Sequence, residues 1–245
     1  MTDRSRRAVV VLAAVAALSV LVDLAFGGVG LLRRDGGGRW RDDEALALPA
    51  PATADDRSVA AALAGRRSRR EYGDGPLSLA DLGQVLWAAQ GVTDRGTGHR
   101  AAPSAGAHYP LETYVVVCAA GVEGVDAGVY RYRPARHDLV PGAPGDARET
   151  LRAAALDQRP VGEAPVSLVL CAVDERTTAE YGARGRRRYV PMEAGHAAEN
   201  VYLQAESLGL ATVAVGAFDD DRVRAVVGAP GDQRPLYVLP VGPRA

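Results

Sequence analysis

Apolar residues recur at helical spacing in two long segments of the chain, and both segments are bounded by residues that start or stop helices. The first begins after Ser78, with Asp81 placed three residues later as in a capping box, and it ends at Gly91. The second covers residues 192–208 and ends at Gly209. Its apolar stripe consists of Ala194, Ala197, Ala198, Val201, Ala205 and Leu208. We predict that both segments are helices with one buried face.

Shorter apolar runs alternate irregularly with further helical patterns. Consecutive apolar residues predict strands at 112–118, 128–132, 165–173, 211–215 and 235–241. Helical spacing predicts shorter helices at 56–65, 146–156 and 219–227. Because helices and strands intermix without a regular strand–helix repeat, the pattern favours an α+β fold over a doubly wound sheet.

The N-terminal region has a different character from the rest of the chain. Residues 8–32 are almost entirely apolar and are long enough to cross a bilayer core of roughly 30 Å. Ser5-Arg6-Arg7 resembles a twin-arginine export signal, and no small-residue cleavage site directly follows the apolar run. We therefore expect a membrane anchor or twin-arginine-like signal segment at 1–32, a flexible linker at 33–54 and one folded domain at 55–245. A buried core helix is the alternative for the apolar run, and arginines on both sides leave the membrane face open.

Composition narrows the classes of function. The chain has 245 residues, 47% hydrophobic and 24% charged, with a net charge of -1, which is the balance of a globular protein without a basic field for nucleic acid. Every basic position is an arginine, so no lysine can serve as a base. Cys118 and Cys171 lie inside apolar runs and are predicted to be inert core thiols. The four histidines show no metal-ligand spacing, so no metal site is expected.

A cluster of arginines follows the first short helix. Arg66, Arg67, Ser68, Arg69 and Arg70 combine guanidinium forks with a hydroxyl, a combination suited to a phosphate group. Two other interpretations stay open. Arginines are also favoured at a solvated helix C-terminus. With the second cluster at 184–188 they could bind nucleic acid, although the neutral net charge and the 5% aromatic content weigh against it.

Two further segments have the small residues that a close-lying ligand requires. The loop at 100–110 is rich in small residues between two prolines, so its backbone could lie flat against a planar ligand. At Val215-Gly216 a predicted strand ends and leaves main-chain N–H groups for the edge of such a ligand. Ordinary turns, the second one capped by Asp219, are the structural alternatives.

The order and spacing of three segments resemble a known family. RRSRREYGDGPLSLADLGQVLWAAQGVT, RAAPSAGAHYPLETYVVV and MEAGHAAENVYLQAESLGLATVAVGAF together resemble the nitroreductase superfamily, and most of all its SagB-type, azoline-oxidising dehydrogenase branch. The resemblance covers roughly residues 56–245, and PSAGAHYPLE is its most specific phrase. It implies a three-layer α-β-α sandwich that forms a homodimer with FMN at the interface. It also implies hydride transfer through flavin N5 to or from a small organic or peptide-derived substrate, with NAD(P)H as a candidate electron donor.

The resemblance also assigns roles to residues. The ribityl phosphate and the pyrimidine edge of FMN would be held by Arg66, Arg67, Ser68 and Arg70. The flavin ring would be lined by Pro103, Ser104, Ala105 and Gly106. Val215 and Gly216 would donate main-chain hydrogen bonds toward N5 and O4, and Arg244 would add a phosphate contact.

One position departs from the family pattern. Azoline-oxidising members use a Lys-Tyr pair to handle protons beside the flavin, whereas this chain has Glu180-Tyr181 at the matching place. Tyr181 is therefore the candidate catalytic residue, and azoline oxidation is in doubt. Tyr189 and His196 are either substrate-side groups or ordinary packed side chains. The alternative functions are a membrane-tethered FMN-binding module without turnover and an arginine-rich nucleic-acid binder.

Overall fold

A seven-stranded sheet, in which every neighbouring pair is antiparallel, forms the centre of the protein. The computed structural model describes residues 40–54 and 56–245. The strands are β1 (Leu46–Ala47), β4 (Leu111–Val117), β5 (Gly128–Arg133), β6 (Asp138–Pro144), β7 (Val166–Val173), β8 (Leu210–Thr212) and β9 (Gln233–Pro243). They lie in the order β1-β6-β5-β4-β7-β9-β8. A separate hairpin joins β2 (Val92–Asp94) to β3 (His99–Arg100).

Helices cover both faces of this sheet. They are α1 (Val59–Gly65), α2 (Leu79–Gln90), α3 (Arg148–Ala154), α4 (Arg159–Glu163), α5 (Glu175–Arg184), α6 (Val190–Ser207) and α7 (Asp220–Val226). A π-helical turn, Gly185–Tyr189, connects α5 to α6. The expected membrane segment at 1–32 lies outside the described residues. Within 40–54 and 56–245, no helix combines the length and the apolar character that a membrane crossing requires.

The alternation of side chains along the central strands creates two cores. On β4, Val115 and Val117 face a core shared with α2 and α6, whereas Tyr114 and Val116 face the core formed with α3, α4 and α7. The two cores on opposite faces make a three-layer α-β-α arrangement, which confirms the predicted α+β class. The capping signals also hold, because the Ser78 hydroxyl accepts a bond of 3.0 Å from the Asp81 amide and Gly209 takes a φ of 70° after α6.

The expectation of a flexible linker at 33–54 is wrong for residues 40–52. Leu46 and Ala47 pair with β6, and the Leu48 side chain is buried in the core with α2. The Trp40 ring packs against Tyr114 with 5.5 Å between the ring centroids. The Ala52 amide donates to Gln84 on α2 at 2.8 Å. The folded domain therefore begins before residue 55, because a few well-separated apolar side chains complete an edge of the sheet and its core.

The cysteine prediction is confirmed. Cys118 and Cys171 are free and buried. On β4 and β7, Cys171 pairs with Glu112, so it lies near the end of β4 that is opposite to Cys118. Burial raises the pKa of both thiols, which makes them unreactive core side chains.

Candidate active site

The arginine cluster forms a cleft at the end of α1. This arginine cleft has a volume of 370 Å³ and is lined by Arg67, Ser68, Arg69, Arg70, Glu71, Arg244 and Ala245. Helix α1 ends at Gly65, where any Cβ atom would collide with the Glu206 carboxylate. A glycine at this position therefore lets the arginine segment approach α6 closely.

A buried carboxylate organises the floor of the cleft. Glu206 on α6 is 5% exposed and accepts hydrogen bonds from Arg57 at 2.8 Å, Arg69 at 3.4 Å and Arg244 at 2.6 Å. Burial alone would raise the pKa of Glu206, but Arg244, Arg69 and Arg57 together hold it below its usual value. Arg69 is therefore turned inward as a structural residue. Arg244, for which a phosphate contact is predicted, lines the cleft and also pairs with Glu206.

The cleft offers more donors than acceptors. The Nε atoms of Arg69 and Arg244 are buried without a hydrogen-bond partner among the described residues. Arg67 donates only to the main-chain carbonyls of Ala64 and Arg66. The exposed Arg70 guanidinium makes no hydrogen bond or ion pair within 40–54 and 56–245. This excess of guanidinium donors suits a phosphate group.

Tyr202 on α6 joins the arginine cleft to the turn after β8. Its hydroxyl lies 2.9 Å from the Ser68 hydroxyl and accepts a hydrogen bond of 2.7 Å from the Ala214 amide. The Arg66 guanidinium lies 5.3 Å above the Tyr202 ring. The Arg69 amide also donates to the Thr212 carbonyl at 2.9 Å. The two segments at 66–70 and 209–219 therefore lie together, and Tyr202, which was not among the predicted site residues, connects them.

The structure corrects the role predicted for Val215. Its N–H donates to the Val238 carbonyl at 2.8 Å and its carbonyl accepts from Val238 at 3.0 Å, so this amide is already used in an antiparallel bridge. Gly216 is exposed, and its N–H has no partner among the described residues. A Cβ atom at Gly216 would find only Tyr237 nearby, at 3.7 Å. The free main-chain donor at this turn is therefore Gly216.

The proline-bracketed loop lies beside a different part of α6. Three residues of this loop have positive φ angles, Gly106 (61°), Ala107 (55°) and Tyr109 (45°). The Tyr109 amide donates to the Ser104 hydroxyl at 2.9 Å, and the Tyr109 hydroxyl accepts from the Arg100 amide at 3.1 Å. Strained backbone of this kind persists only where neighbouring contacts enforce it, and it is typical of functional sites.

Tyr181, the candidate catalytic residue, lies against this loop. Its ring packs on His108 at 5.8 Å and on Tyr189 at 5.0 Å between centroids. A hydrogen bond to Glu180 raises the pKa of Tyr181. Glu180 also lies 2.7 Å from Nε2 of His108. Neither Glu180 nor His108 was among the predicted site residues, although Glu180 marks the departure from the family pattern.

A second buried carboxyl group lies under the loop. Glu193, in the first turn of α6, is 2% exposed, and the Ser104 hydroxyl donates to it. Its Oε1 atom has no hydrogen-bond partner within the described part of the chain. Burial raises the pKa of Glu193 to about 7, against the opposing effects of Ser104, Arg100 and Arg176. No pattern in the sequence marks Glu193 as a site residue.

The cleft and the loop are separated along α6 within one chain. Glu193 and Tyr202 are nine residues apart on this helix, which corresponds to about 14 Å at 1.5 Å per residue. The arginine cleft and the Gly216 turn therefore lie at the same level of α6, where both contact Tyr202 or its neighbours. The Ser104 loop instead lies beside the first turn of the same helix, at Glu193.

The three-layer sandwich with its donor-rich cleft defines an α+β protein that has a candidate site for an anionic group. The sequence matches the Nitroreductase family over residues 63–243, and the chain belongs to this family. It is 50% identical over 177 residues to a protein of Methanocaldococcus jannaschii named as a nitroreductase, covering 72% of this chain and 86% of the relative. It is also 30% identical over 166 residues to the Escherichia coli microcin B17-processing protein McbC, covering 66% of this chain and 60% of McbC.

Solved structures agree with this assignment. A crystal structure named as a nitroreductase from Ralstonia eutropha matches with a TM-score of 0.71 and 30% identity, covering 82% of this chain and 90% of that one. The E. coli microcin synthetase McbBCD complex with truncated pro-MccB17 bound matches with a TM-score of 0.64 and 26% identity, covering 80% of this chain and 76% of that one. The similarity to McbC and to the McbBCD complex supports a SagB-like branch within this superfamily.

Proposed function

We propose that the chain is an FMN-dependent oxidoreductase that transfers hydride between flavin N5 and a small organic or peptide-derived substrate. Membership of the nitroreductase family supports a flavin as the cofactor. The single observation that carries the proposal is the arginine cleft with unpaired guanidinium donors, joined through Tyr202 to the free amide at Gly216. When bound, FMN supplies the redox chemistry, and the protein binds and orients it.

Each part of the site has a proposed task. Arg67 and Arg70 bind the phosphate, with Arg66 and Arg244 adding positive charge and Ser68 a hydroxyl contact. Gly216 donates its main-chain N–H to the polar edge of the flavin ring. The ring-lining residues are Pro103, Ser104, Ala105 and Gly106. The Glu206 carboxylate fixes Arg244 and Arg69, so that the phosphate end is organised before the cofactor arrives.

A second copy of the chain completes the proposed site. The exposed apolar side chains of Val59 (72%) and Leu63 (55%) lie on α1, and Val59 also borders a groove lined by Trp87, Ala88 and Leu203. We propose that this face packs against the same face of a partner, which brings the partner's ring-lining loop to the cleft. A V59D/L63D variant should sediment as a monomer and lose FMN, whereas a wild-type chain that is already monomeric with bound FMN would contradict the homodimer.

Two observations support a substrate class: the similarity to McbC and the presence of Glu180 where the azoline-oxidising pattern has lysine. The E. coli relative is named for microcin B17 processing, and its synthetase complex was solved with a truncated precursor peptide, which supports a peptide-derived substrate for this chain as well. The carboxylate at Glu180 replaces the lysine of the azoline-oxidising pattern, so a substrate other than a peptide azoline is proposed. NAD(P)H is the proposed donor when the flavin must be reduced.

A double variant tests cofactor binding. Arg66→Ala with Ser68→Ala should weaken FMN binding by about 100-fold, because the positive charge of Arg66 and the hydroxyl contact of Ser68 are lost together. The measurement is FMN fluorescence titration of the purified chain, with Arg95→Ala on the exposed hairpin as the matched control. Unchanged FMN content in the double variant would count against the proposal.

The two rival functions give different results in the same preparation. A binding module without turnover retains FMN, but the absorbance of the reduced flavin does not recover when an acceptor is added. A nucleic-acid binder carries no flavin and shows steeply salt-dependent retention on DNA.

We also propose that residues 8–32 anchor the domain to a membrane, on the strength of their apolar sequence alone. Fractionation of cells should find the full chain in carbonate-washed membranes and a variant lacking residues 1–32 in the supernatant. Equal release of both forms would contradict the anchor.

A further inference from the structure

The His108, Glu180 and Tyr181 side chains meet beside the ring-lining loop. The His108 Nε2 atom lies 2.7 Å from the Glu180 carboxylate, which also accepts a hydrogen bond from the Tyr181 hydroxyl. The His108 and Tyr181 rings pack edge to face. The His108 side chain is 27% exposed and the Glu180 side chain 55%, so a ligand on this surface could reach both.

The loop backbone leaves room for this arrangement only because residue 106 is a glycine. A Cβ atom at Gly106 would lie 2.8 Å from His108 Nε2 and 2.9 Å from the Tyr181 hydroxyl. Gly106 also has a φ of 61°, which other residues adopt only with strain. The His108 ring and the Tyr181 hydroxyl are therefore held directly against the backbone that is proposed to line the flavin.

Irregular backbone occurs on both sides of the cluster. On one side, Ala107 and Tyr109 have positive φ values. On the other, Gly182 has a φ of 54°, and the chain continues into the π-helical turn Gly185–Tyr189. Single π-helical turns and positive φ values cost free energy and are frequent at functional sites, so an ordinary surface ion pair does not account for this geometry.

The protonation states of His108, Glu180 and Tyr181 indicate a different task for each side chain. The chain has no lysine, and Glu193 is too deeply buried to touch a substrate. The raised pKa of Tyr181 keeps its proton on the phenol, which donates to Glu180. With Nε2–H also donating to Glu180, a neutral His108 carries its lone pair on Nδ1, and imidazole is the side chain best suited to exchange protons near neutral pH.

We propose that His108, oriented by Glu180 and flanked by Tyr181, is the catalytic residue that exchanges a proton with the substrate, an assignment that rests on the proposed function. In the oxidative direction the substrate loses a C–H hydride to FMN, which is the oxidant, and a proton from the adjacent atom to His108 Nδ1. A new double bond forms between these two substrate atoms. In the reductive direction His108 returns the proton to the acceptor. Glu180 is a positioning residue that fixes the imidazole tautomer.

The test separates proton-dependent from proton-independent reoxidation of the flavin. The full chain is loaded with FMN, photoreduced, and mixed either with a nitrofuran or with ferricyanide. The nitrofuran takes a hydride and a proton and becomes a nitroso compound and water, whereas ferricyanide takes electrons without a proton. His108→Gln should slow the nitrofuran reaction by about 100-fold, the usual contribution of a general acid, and leave the ferricyanide rate within about twofold. His99→Gln, on the exposed hairpin, is the matched control and should leave both rates unchanged.

A second measurement does not depend on activity. The ¹⁵N shifts of His108 in the FMN-free chain should show the Nε2–H tautomer, and Glu180→Gln should mix the two tautomers. The same variant should slow the nitrofuran reaction by about tenfold.

Equal nitrofuran rates in His108→Gln and wild-type chains that both hold FMN would overturn the assignment while leaving the proposed function intact. A chain that binds no FMN would instead overturn the proposed function and this assignment with it.

Discussion

Two buried carboxyl groups on one helix have opposite protonation behaviour. Glu206 and Glu193 both lie on α6, 5% and 2% exposed respectively. The pKa of Glu206 is lowered, because three guanidinium groups more than offset its burial. The pKa of Glu193 is raised to about 7, because burial outweighs its hydrogen bond to Ser104 and the arginines beyond. The number of arginines in direct contact thus decides whether a buried carboxyl group is a charged anchor or keeps its proton up to nearly neutral pH.

The difference matches the tasks proposed for the two regions. The arginine cleft is a fixed array of charges, in which Glu206 holds Arg69 and Arg244 in place for an anionic cofactor. The Ser104 loop has strained backbone, and burial raises the pKa of the Glu193 carboxyl group beneath it to about 7. The first region is suited to hold a phosphate, and the second to line an uncharged ring where proton transfer takes place.

Among the substitutions predicted here, removal of the Glu206 carboxylate should change the free energy of unfolding most. Glu206→Gln leaves Arg57, Arg69 and Arg244 without their shared counter-charge, and we expect a loss of about 3–5 kcal/mol in the free energy of unfolding. Because the folded pKa of Glu206 is lowered, its contribution is present above the unfolded pKa and is lost as pH falls through the folded pKa.

Urea unfolding at neutral pH measures this loss. The matched control is Glu199→Gln, since Glu199 is 46% exposed and lies 3.7 Å from Arg66. We expect that variant to lose less than about 1 kcal/mol. Equal losses in the two variants would show that burial of the carboxylate does not matter.

The stability contribution of Glu193 should change with pH in the opposite direction to that of Glu206. As pH rises from 4.5 to about 7, unfolded chains release the Glu193 proton while folded chains keep it, so the free energy of unfolding falls over this window. Glu193→Gln cannot lose a proton, and it should match wild type near pH 4.5 and exceed it by roughly 3 kcal/mol at pH 8. Thermal unfolding at both pH values measures the difference. Parallel pH curves for the two proteins would mean that Glu193 is ionised in the folded chain.

Removal of the Tyr202 hydroxyl, which connects the cleft to the Gly216 turn, should change stability least. Tyr202→Phe removes the hydroxyl that contacts Ser68 and the Ala214 amide, which we expect to lower stability by about 1 kcal/mol and FMN affinity by about tenfold. Tyr237→Phe serves as the control, because its hydroxyl makes no hydrogen bond with the described residues. Calorimetry and fluorescence titration give both quantities. An identical loss in the control variant would show that the Tyr202 hydroxyl contributes nothing specific.

Periodicity predicted the long helices well because each combines an apolar stripe with a capping residue. It missed β6, whose prolines are typical of loops, and α5, which has few apolar residues. It also missed the packing of residues 40–52, where single side chains such as Leu48 find their core only in three dimensions.

The site was predictable in its composition but not in its geometry. The arginine cluster and the small-residue loop were visible as unusual runs of residues. Glu193, Tyr202 and Glu206 were not, because a polar residue beside an apolar stripe gives no sign of which partner it will meet. Val215 shows the reverse error, since its amide looked free at a strand end and is used by Val238 across the sheet.

The central claim is that the arginine cleft and the Ser104 loop hold a single flavin. The most direct test is the visible absorption spectrum of the purified full chain, followed by chromatography of whatever denaturation releases. The account predicts flavin absorption and the release of FMN in a one-to-one ratio to the chain. A colourless protein that also fails to bind added FMN would contradict it.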